Sequence, residues 1–336
     1  MEFLKGIGHE PTLLYVQPKK EILRNQLKSY IKHILGLIVP KFNIKRQREK
    51  ILDFEKNFIN PKTLPITTHD ELVTYKESFD AYIVGSDQVW RPTMYPYIEE
   101  AFFGFLNNNT IKIAYAASFG VSDCEFSETQ IKKFSKDLKS FDLITVREKS
   151  GVSMCRKHFN VRASHVVDPT MLVDLMIFET LVSDDISPCI ATYILDRTER
   201  KLRLSSDIAE SFENDIIHLY PDVRSNRLSE RQFRSVPQWL SVIKSSTFVV
   251  TDSFHGCVFA ILFNKSFVVF DNAERGSARI LSLLEMFGLE GRLVTDKMSK
   301  IELNTLPAID WVSVNKIVET ERSKSRALLV EVLGDA

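Results

Sequence analysis

Thr247–Phe270 reads TFVVTDSFHGCVFAILFNKSFVVF, and this stretch decides the fold. Phe248, Val249 and Val250 form a short apolar run without helical spacing, as a strand buried on both faces requires. Thr251, Asp252 and Ser253 follow, residues of the type that cap a helix. After Phe254-His255-Gly256 the apolar run Cys257–Phe263 predicts a compact buried helix, and Ser266–Phe270 returns as a second strand. Strand, polar turn, helix and strand make a βαβ unit whose turn lies at the carboxyl end of the first strand. Ligands collect at that end, because free backbone N–H groups at a helix start attract anions. His255 stands in this turn beside Gly256, whose missing side chain is expected to leave the backbone open.

The other informative turns repeat the pattern of a short apolar strand ending in small or charged residues. In DAYIVGSDQVWR, Asp80–Arg91, a strand over Ala81–Val84 precedes Gly85-Ser86-Asp87. Backbone amides and the Asp87 carboxylate are expected to face a crevice there, with Trp90 and Arg91 able to stack on or grip a sugar. Lys112–Ala116 predicts a strand ending at Ala117-Ser118-Phe119-Gly120. Leu143–Val146 leads directly into Arg147, whose planar fork of donors suits an anion. Val166-Val167-Asp168-Pro169-Thr170 reads as a break, since Pro169 cannot continue a central strand. Asp271–Arg279 reads as a polar loop carrying Arg275 and Arg279.

The amino-terminal portion is less regular. Met1–Gly8 reads as the tail of a helix and Thr12–Val16 as a strand. Lys19–Lys50 is dense in Lys and Arg against only Glu21 and Glu49, with an apolar face that includes Tyr30, Ile34 and Leu35. Such a helical insertion, about 19–60, either packs on its domain or lies on an anionic membrane surface. Phe54 and Phe58 continue a helical pattern up to Pro61. Thr68 and Glu71 are placed for a capping box at the start of a short helix.

Composition sets the outer limits. The chain has 336 residues, 44% hydrophobic and 26% charged, with a formal net charge of zero, which suits about two globular domains. Whole-chain charge therefore points to neither nucleic acid nor membrane. Cys124, Cys155, Cys189 and Cys257 are far apart, without metal-type pairing, and read as reduced cytoplasmic thiols. No G-x-G-x-x-G follows a strand, which argues against a dinucleotide-binding dehydrogenase. Nucleic-acid binding has only the basic segment behind it and no aromatic-basic motif.

Taken in order, VGSDQVW, AYAASFG, the strand ending in Arg147-Glu148, VVDPTMLV, TDSFHG and ARILSLLEMFGLEGR resemble the polysaccharide pyruvyl transferase family from about Phe79 to Val294. The resemblance implies an α/β enzyme of two Rossmann-like, doubly wound domains, glycosyltransferase-B-like, with a cleft between them. The boundaries expected here are 1–172, 173–305 and a helical segment 306–336. It also implies a strand and an Asn-Tyr-Gly-type loop ahead of the helix at Met1–Gly8, so that a first strand is expected to be missing from this sequence. The implied activity is transfer of pyruvate from phosphoenolpyruvate to a hydroxyl pair of a lipid-linked oligosaccharide, forming a cyclic ketal in capsule or exopolysaccharide synthesis. Phosphoenolpyruvate is a co-substrate, and neither cofactor nor metal is called for. The place of work implied is the cytoplasm, or its membrane face through segment 19–50.

Carried over by position, the family histidine is His255, its phosphoenolpyruvate-binding arginine is Arg147, and a basic position past the histidine is Arg275. Asp87 is expected to orient or deprotonate the acceptor. Gly85, Ser86, Trp90, Ser118, Ser253, Phe254, Gly256 and Arg279 complete the expected substrate-binding set. Some members carry arginine where Ser253 stands, so backbone amides at 254–256 and Arg279 are expected to share the anion binding. Two other functions fit the same pattern: a sugar-nucleotide glycosyltransferase of the same architecture, and a non-catalytic pyruvyl-transferase-like binding protein.

Overall fold

The computed structural model describes residues 1–17, 53–107, 109–183, 185–221, 234–272, 275–294 and 306–334. The basic segment 19–50 lies outside them. The described chain is an α/β fold built on two parallel sheets. The first has the order β1-β2-β3-β4, from Ala81–Val84, Ile111–Ala117, Leu143–Val146 and Ser164–His165. The second has the order β6-β5-β7-β8-β9, from Ile216–His218, Cys189–Tyr193, Ser246–Thr251, Ser266–Phe270 and Leu293–Val294. Every strand pair is parallel.

Ten helices are named in chain order: α1 Glu2–Gly6, α2 His69–Val73, α3 Glu128–Leu138, α4 Lys149–Met154, α5 Leu175–Glu179, α6 Glu199–Phe212, α7 Val236–Ser245, α8 Phe254–Leu262, α9 Ser277–Phe287 and α10 Trp311–Leu333. Local chemistry explains several starts. Thr68 and Glu71 close the expected capping box on α2, and Ser127 with Gln130 and Ser235 with Gln238 do the same for α3 and α7. Each arrangement satisfies amides that the first helical turn leaves without partners. Among the described residues, no helix is long and apolar enough to cross a membrane.

Two expectations about element limits are corrected. Thr12–Val16 is not a strand of either sheet: Leu13 and Val16 make isolated parallel bridges to Lys62 and Ile66. A cavity of about 780 Å³ lies beside them, along β1 and walled also by Met1, Leu4 and Leu333. Secondly, α8 begins at Phe254, so His255 and Gly256 belong to its first turn rather than to a preceding loop.

α8 is the apolar hub. Cys257, Val258, Ala260 and Ile261 are fully buried. They share one core with Val249 and Phe267 of the second sheet and with Ile113 and Tyr115 of the first. A buried aliphatic or aromatic side chain contributes roughly 1.5–3 kcal/mol, so this contact fixes how the two sheets meet. α10 ties the same junction from behind. Ser325 Oγ accepts the Val167 N–H at 3.3 Å, and Arg322 Nε donates to the Met171 carbonyl at 2.7 Å. The terminal helical segment is thus docked on the first half of the chain.

Gly256 has a packing role that differs from the open backbone expected of it. A Cβ there would lie 2.2 Å from Thr251 Oγ1 and 2.9 Å from Thr251 Cβ. The glycine lets α8 press onto the end of β7. Gly256→Ala should therefore overpack this contact and lower stability by about 1–3 kcal/mol, read as an earlier urea-unfolding midpoint. An unchanged midpoint would show that α8 can shift off β7 without penalty.

Candidate active site

In the second sheet the chain runs outward from β5 to β6 and then returns to β7 on the other side of β5. The crevice beyond the carboxyl ends of β5 and β7 is the place where such sheets take ligands. A cavity of about 220 Å³ lies there, walled by Tyr193, Leu195, Asp252, Ser253, Phe254 and His255. Arg275, Gly276 and Arg279 form another side, and Asp87, Gln88 and Met94 of the first half close it. The two halves touch at its rim. Gln88 Nε2 donates to the Arg275 carbonyl at 3.0 Å, and a Cβ on Gly276 would come within 2.1 Å of the Gly120 carbonyl.

Beneath the cavity lies a buried charge cluster. Arg147 leaves the end of β3 with its side chain 1% exposed. It donates from Nη1 to Asp168 Oδ2 and from Nη2 to Asp87 Oδ1, both at 2.9 Å. Its guanidinium lies over the Phe254 ring, 4.4 Å from the centroid. Asp168 is fully enclosed and collects several partners. Its Oδ1 accepts from the Thr170 amide and hydroxyl, and Ser86 Oγ donates to Oδ2 at 3.4 Å. His255 Nε2 stands 3.9 Å from the same oxygen, with its ring 40% exposed toward the cavity. Burial alone would push the Asp168 carboxyl up; the His255 and Arg147 charges and the hydrogen bonds outweigh it and hold it below the ordinary range.

Asp87 is positioned by its backbone. It has a positive φ of 70°, a conformation that Asp and Asn tolerate better than most residues, and its carbonyl accepts the Ser118 N–H at 2.9 Å. The carboxylate is 65% exposed and bridges two arginines, Arg147 and Arg279, the latter at 3.1 Å. Desolvation raises the Asp87 carboxyl, but Arg147 and then Arg279 outweigh it and leave it below its usual value. Arg279 is pushed down to about 10, first by desolvation and then by the like charge of Arg147. It is not in a loop: α9 starts at Ser277 after Gly276, whose φ is 97°, so Arg279 lies in the first helical turn.

Other residues expected here have different places. Trp90 is not on the cavity wall. Its side chain is wholly buried, stacked on Phe102 and against Phe119, with its indole N–H donated to the Ala101 carbonyl. Stacking on a sugar is therefore ruled out for this side chain. Arg91 is likewise engaged, by Glu125. Ser118 is buried, its hydroxyl accepting the Gly120 N–H at 3.1 Å. Gly85 packs against the Tyr115 carbonyl, which a Cβ would meet at 2.0 Å. Arg275 reaches the cavity, but Asp196 holds its fork at 2.6 and 3.1 Å.

The expected cap also works differently. Ser253 makes no side-chain cap bond to α8, and its own amide donates to Thr251 Oγ1 at 3.0 Å. Asp252 turns the other way, accepting the Leu195 and Asp196 amides and pairing with Lys201. Ser253, Phe254 and His255 at the start of α8 thus stand at the cavity wall without a side-chain cap on the helix.

Two carboxylates not expected among the site residues organise it. Asp168 is one. Glu148 is the other: fully buried, it takes the Phe119 and Gly120 amides on Oε1 and so shapes the loop against which Gly276 packs. Desolvation pushes its carboxyl up.

Asp168→Asn leaves the enclosed Arg147 without its principal counter-charge, an imbalance that costs about 3–5 kcal/mol in urea unfolding at pH 7. Because the folded Asp168 carboxyl is depressed, its stabilisation is complete above the unfolded value of about 3.9 and disappears as pH falls through the folded one. Wild type and variant should therefore converge in acid. Equal stability at pH 7 would show that Arg147 does not depend on Asp168.

The S. aureus MnaA–UDP co-structure is similar at 15% identity and a TM-score of 0.46, covering 83% of this chain and 80% of that one. The glycotransferase of kitacinnamycin is similar at 14% identity and a TM-score of 0.42, covering 78% of each chain. No curated protein sequence matches. A family model described as polysaccharide pyruvyl transferase matches residues 1–274, and the chain belongs to the polysaccharide pyruvyl transferase family.

Proposed function

We propose that the chain transfers pyruvate from phosphoenolpyruvate to two hydroxyls of a sugar on a lipid-linked oligosaccharide, forming a cyclic ketal. In this proposal the two sheets belong to separate Rossmann-like domains in a glycosyltransferase-B-like arrangement, with the cavity as their cleft. The observation that carries it is the convergence of His255, Asp87 and Arg279 on one cavity, with the buried Arg147 paired to Asp87 directly beneath it.

The chemistry needs those groups. A proton adds to the methylene carbon of phosphoenolpyruvate, making it a methyl group and leaving C2 electrophilic. One sugar hydroxyl attacks C2 and gives up its proton. The bond from C2 to the phosphate oxygen breaks, releasing phosphate, and the second hydroxyl closes the ring with loss of its own proton. Two hydroxyl protons leave; one balances the proton added to carbon and the other is carried off by phosphate or solvent.

Arg279 and Arg147 hold the donor's anionic groups, helped by the α8 amides. His255 supplies the proton to carbon, its ring standing at the cavity wall. Asp87 takes the proton from the attacking hydroxyl. Arg275, gripped by Asp196, fixes the cavity rim. The acceptor's lipid would bring the enzyme to the cytoplasmic membrane face, with segment 19–50 as the contact.

Phosphate release from phosphoenolpyruvate should depend on a lipid-linked, galactose-containing acceptor, and His255→Ala should lower its rate by about 100-fold. Near-normal turnover in that variant would remove His255 from the chemistry. Release of a nucleoside diphosphate from a sugar nucleotide instead would mark a glycosyltransferase. Saturable phosphoenolpyruvate binding with no turnover would mark a binding protein.

A further inference from the structure

The Asp87 carboxylate occupies the position where an incoming anion has to sit. Of the two guanidiniums that could receive a substrate carboxylate or phosphate, Arg147 spends one Nη on Asp168, deep in the protein, and the other on Asp87. Arg279 also spends Nη1 on Asp87, while its Nη2 donates to the Arg275 carbonyl. Both arginines flank Phe254, at 4.4 and 6.0 Å from its centroid. The two Nε donors, of Arg147 and of Arg279, are buried without partners. The outward-facing half of this cationic pair is thus filled by one side chain, and that side chain is the most exposed member of the cluster, 65% open against 1% for Arg147 and 11% for Arg279.

We infer that Asp87 is an internal stand-in for the donor's anionic group, and that donor binding displaces it and thereby frees it to act as the base for the acceptor. The inference rests on the proposed reaction for the donor's identity, but the displacement itself concerns any anion of carboxylate or phosphate type.

Three physical arguments support it. Asp168 keeps Arg147 in place whether or not Asp87 stays, because the Asp168 contacts lie on the other Nη and are fully enclosed. Swinging Asp87 out carries its partly buried carboxylate further into the solvent it already meets, so the step is opposed by the two ion pairs and not by desolvation. A doubly ion-paired carboxylate is a poor base, because both arginines favour its ionised, hydrogen-bonded form; once an anion takes the arginines, that restraint is gone. The consequence is order: donor first, acceptor second, with the base released only when the donor is in place.

Calorimetric titration of phosphoenolpyruvate and of inorganic phosphate into wild type, Asp87→Asn and Arg279→Gln tests this. Asn suits the positive φ at this position and removes the competing charge. Asp87→Asn should bind both anions about 3- to 10-fold more tightly than wild type, since the ligand no longer has to displace a charged carboxylate from the two arginines. Arg279→Gln should bind both more weakly. Melting temperatures close to wild type confirm that the variants are folded. In wild type, initial-rate patterns should show acceptor adding only after donor, and Asp87→Asn should lose turnover despite its tighter binding.

Anion affinity that is unchanged or weaker in Asp87→Asn overturns the inference, as does the absence of any anion binding to wild type. Should phosphate affinity tighten as expected while phosphoenolpyruvate is never consumed, the displacement stands and the pyruvyl-transfer proposal fails. If phosphoenolpyruvate is consumed but Asp87→Asn binds it no more tightly, the proposal stands and the displacement fails.

Discussion

An arginine side chain buried to about a hundredth of its surface cannot stand alone, and the Arg147–Asp168 pair is the constraint on which the site depends. Breaking such a pair leaves an uncompensated charge in the interior, whereas keeping it demands near-ideal geometry and further hydrogen bonds. Both demands are met here. Asp168 also takes Thr170 and Ser86, so its position is fixed by its own turn and by the turn after β1. Two carboxyl ends of the first sheet and the turn after β4 are thereby drawn to one point. The pair is less a source of stability than a device that holds the turns in register.

The second sheet adds the reactive groups to this frame. α8 carries His255 to within 3.9 Å of Asp168 because Gly256 allows the helix to sit tightly on Thr251. α9 carries Arg279 into the same cavity because Gly276 adopts a positive φ just before it and lies against Gly120. Glu148 holds the Gly120 loop from the other side. Each close approach depends on a residue lacking a side chain or on a carboxylate accepting loop amides, so the cavity's shape is specified by backbone contacts rather than by the side chains that line it.

Much of this was legible in the sequence. Thr247–Phe270 announces its βαβ unit through an apolar run without helical spacing, a polar turn and a return strand, and Thr68 with Glu71 announces a helix start. Asp168 was not legible as a site residue. Its local surroundings, Asp-Pro-Thr, already account for it as a turn residue that caps the next two positions, and nothing adjacent hints at Arg147. The pairing exists only because β3 and β4 are neighbours. Trp90 failed in the opposite direction: at the end of a strand it suggests a sugar platform, yet Phe102 and Phe119 reach it from elsewhere in the chain and enclose it. Local patterns foretold the turns; long-range packing decided which side chains in them face the ligand.

The most direct measurement is a crystal structure of the protein with phosphoenolpyruvate bound, grown without acceptor. The account predicts the ligand's anionic groups on Arg147 and Arg279, its methylene carbon facing His255, Arg147 still joined to Asp168, and Asp87 turned away from both arginines. A ligand bound elsewhere in the molecule, or one bound at this cavity with its methylene carbon remote from His255, would contradict it.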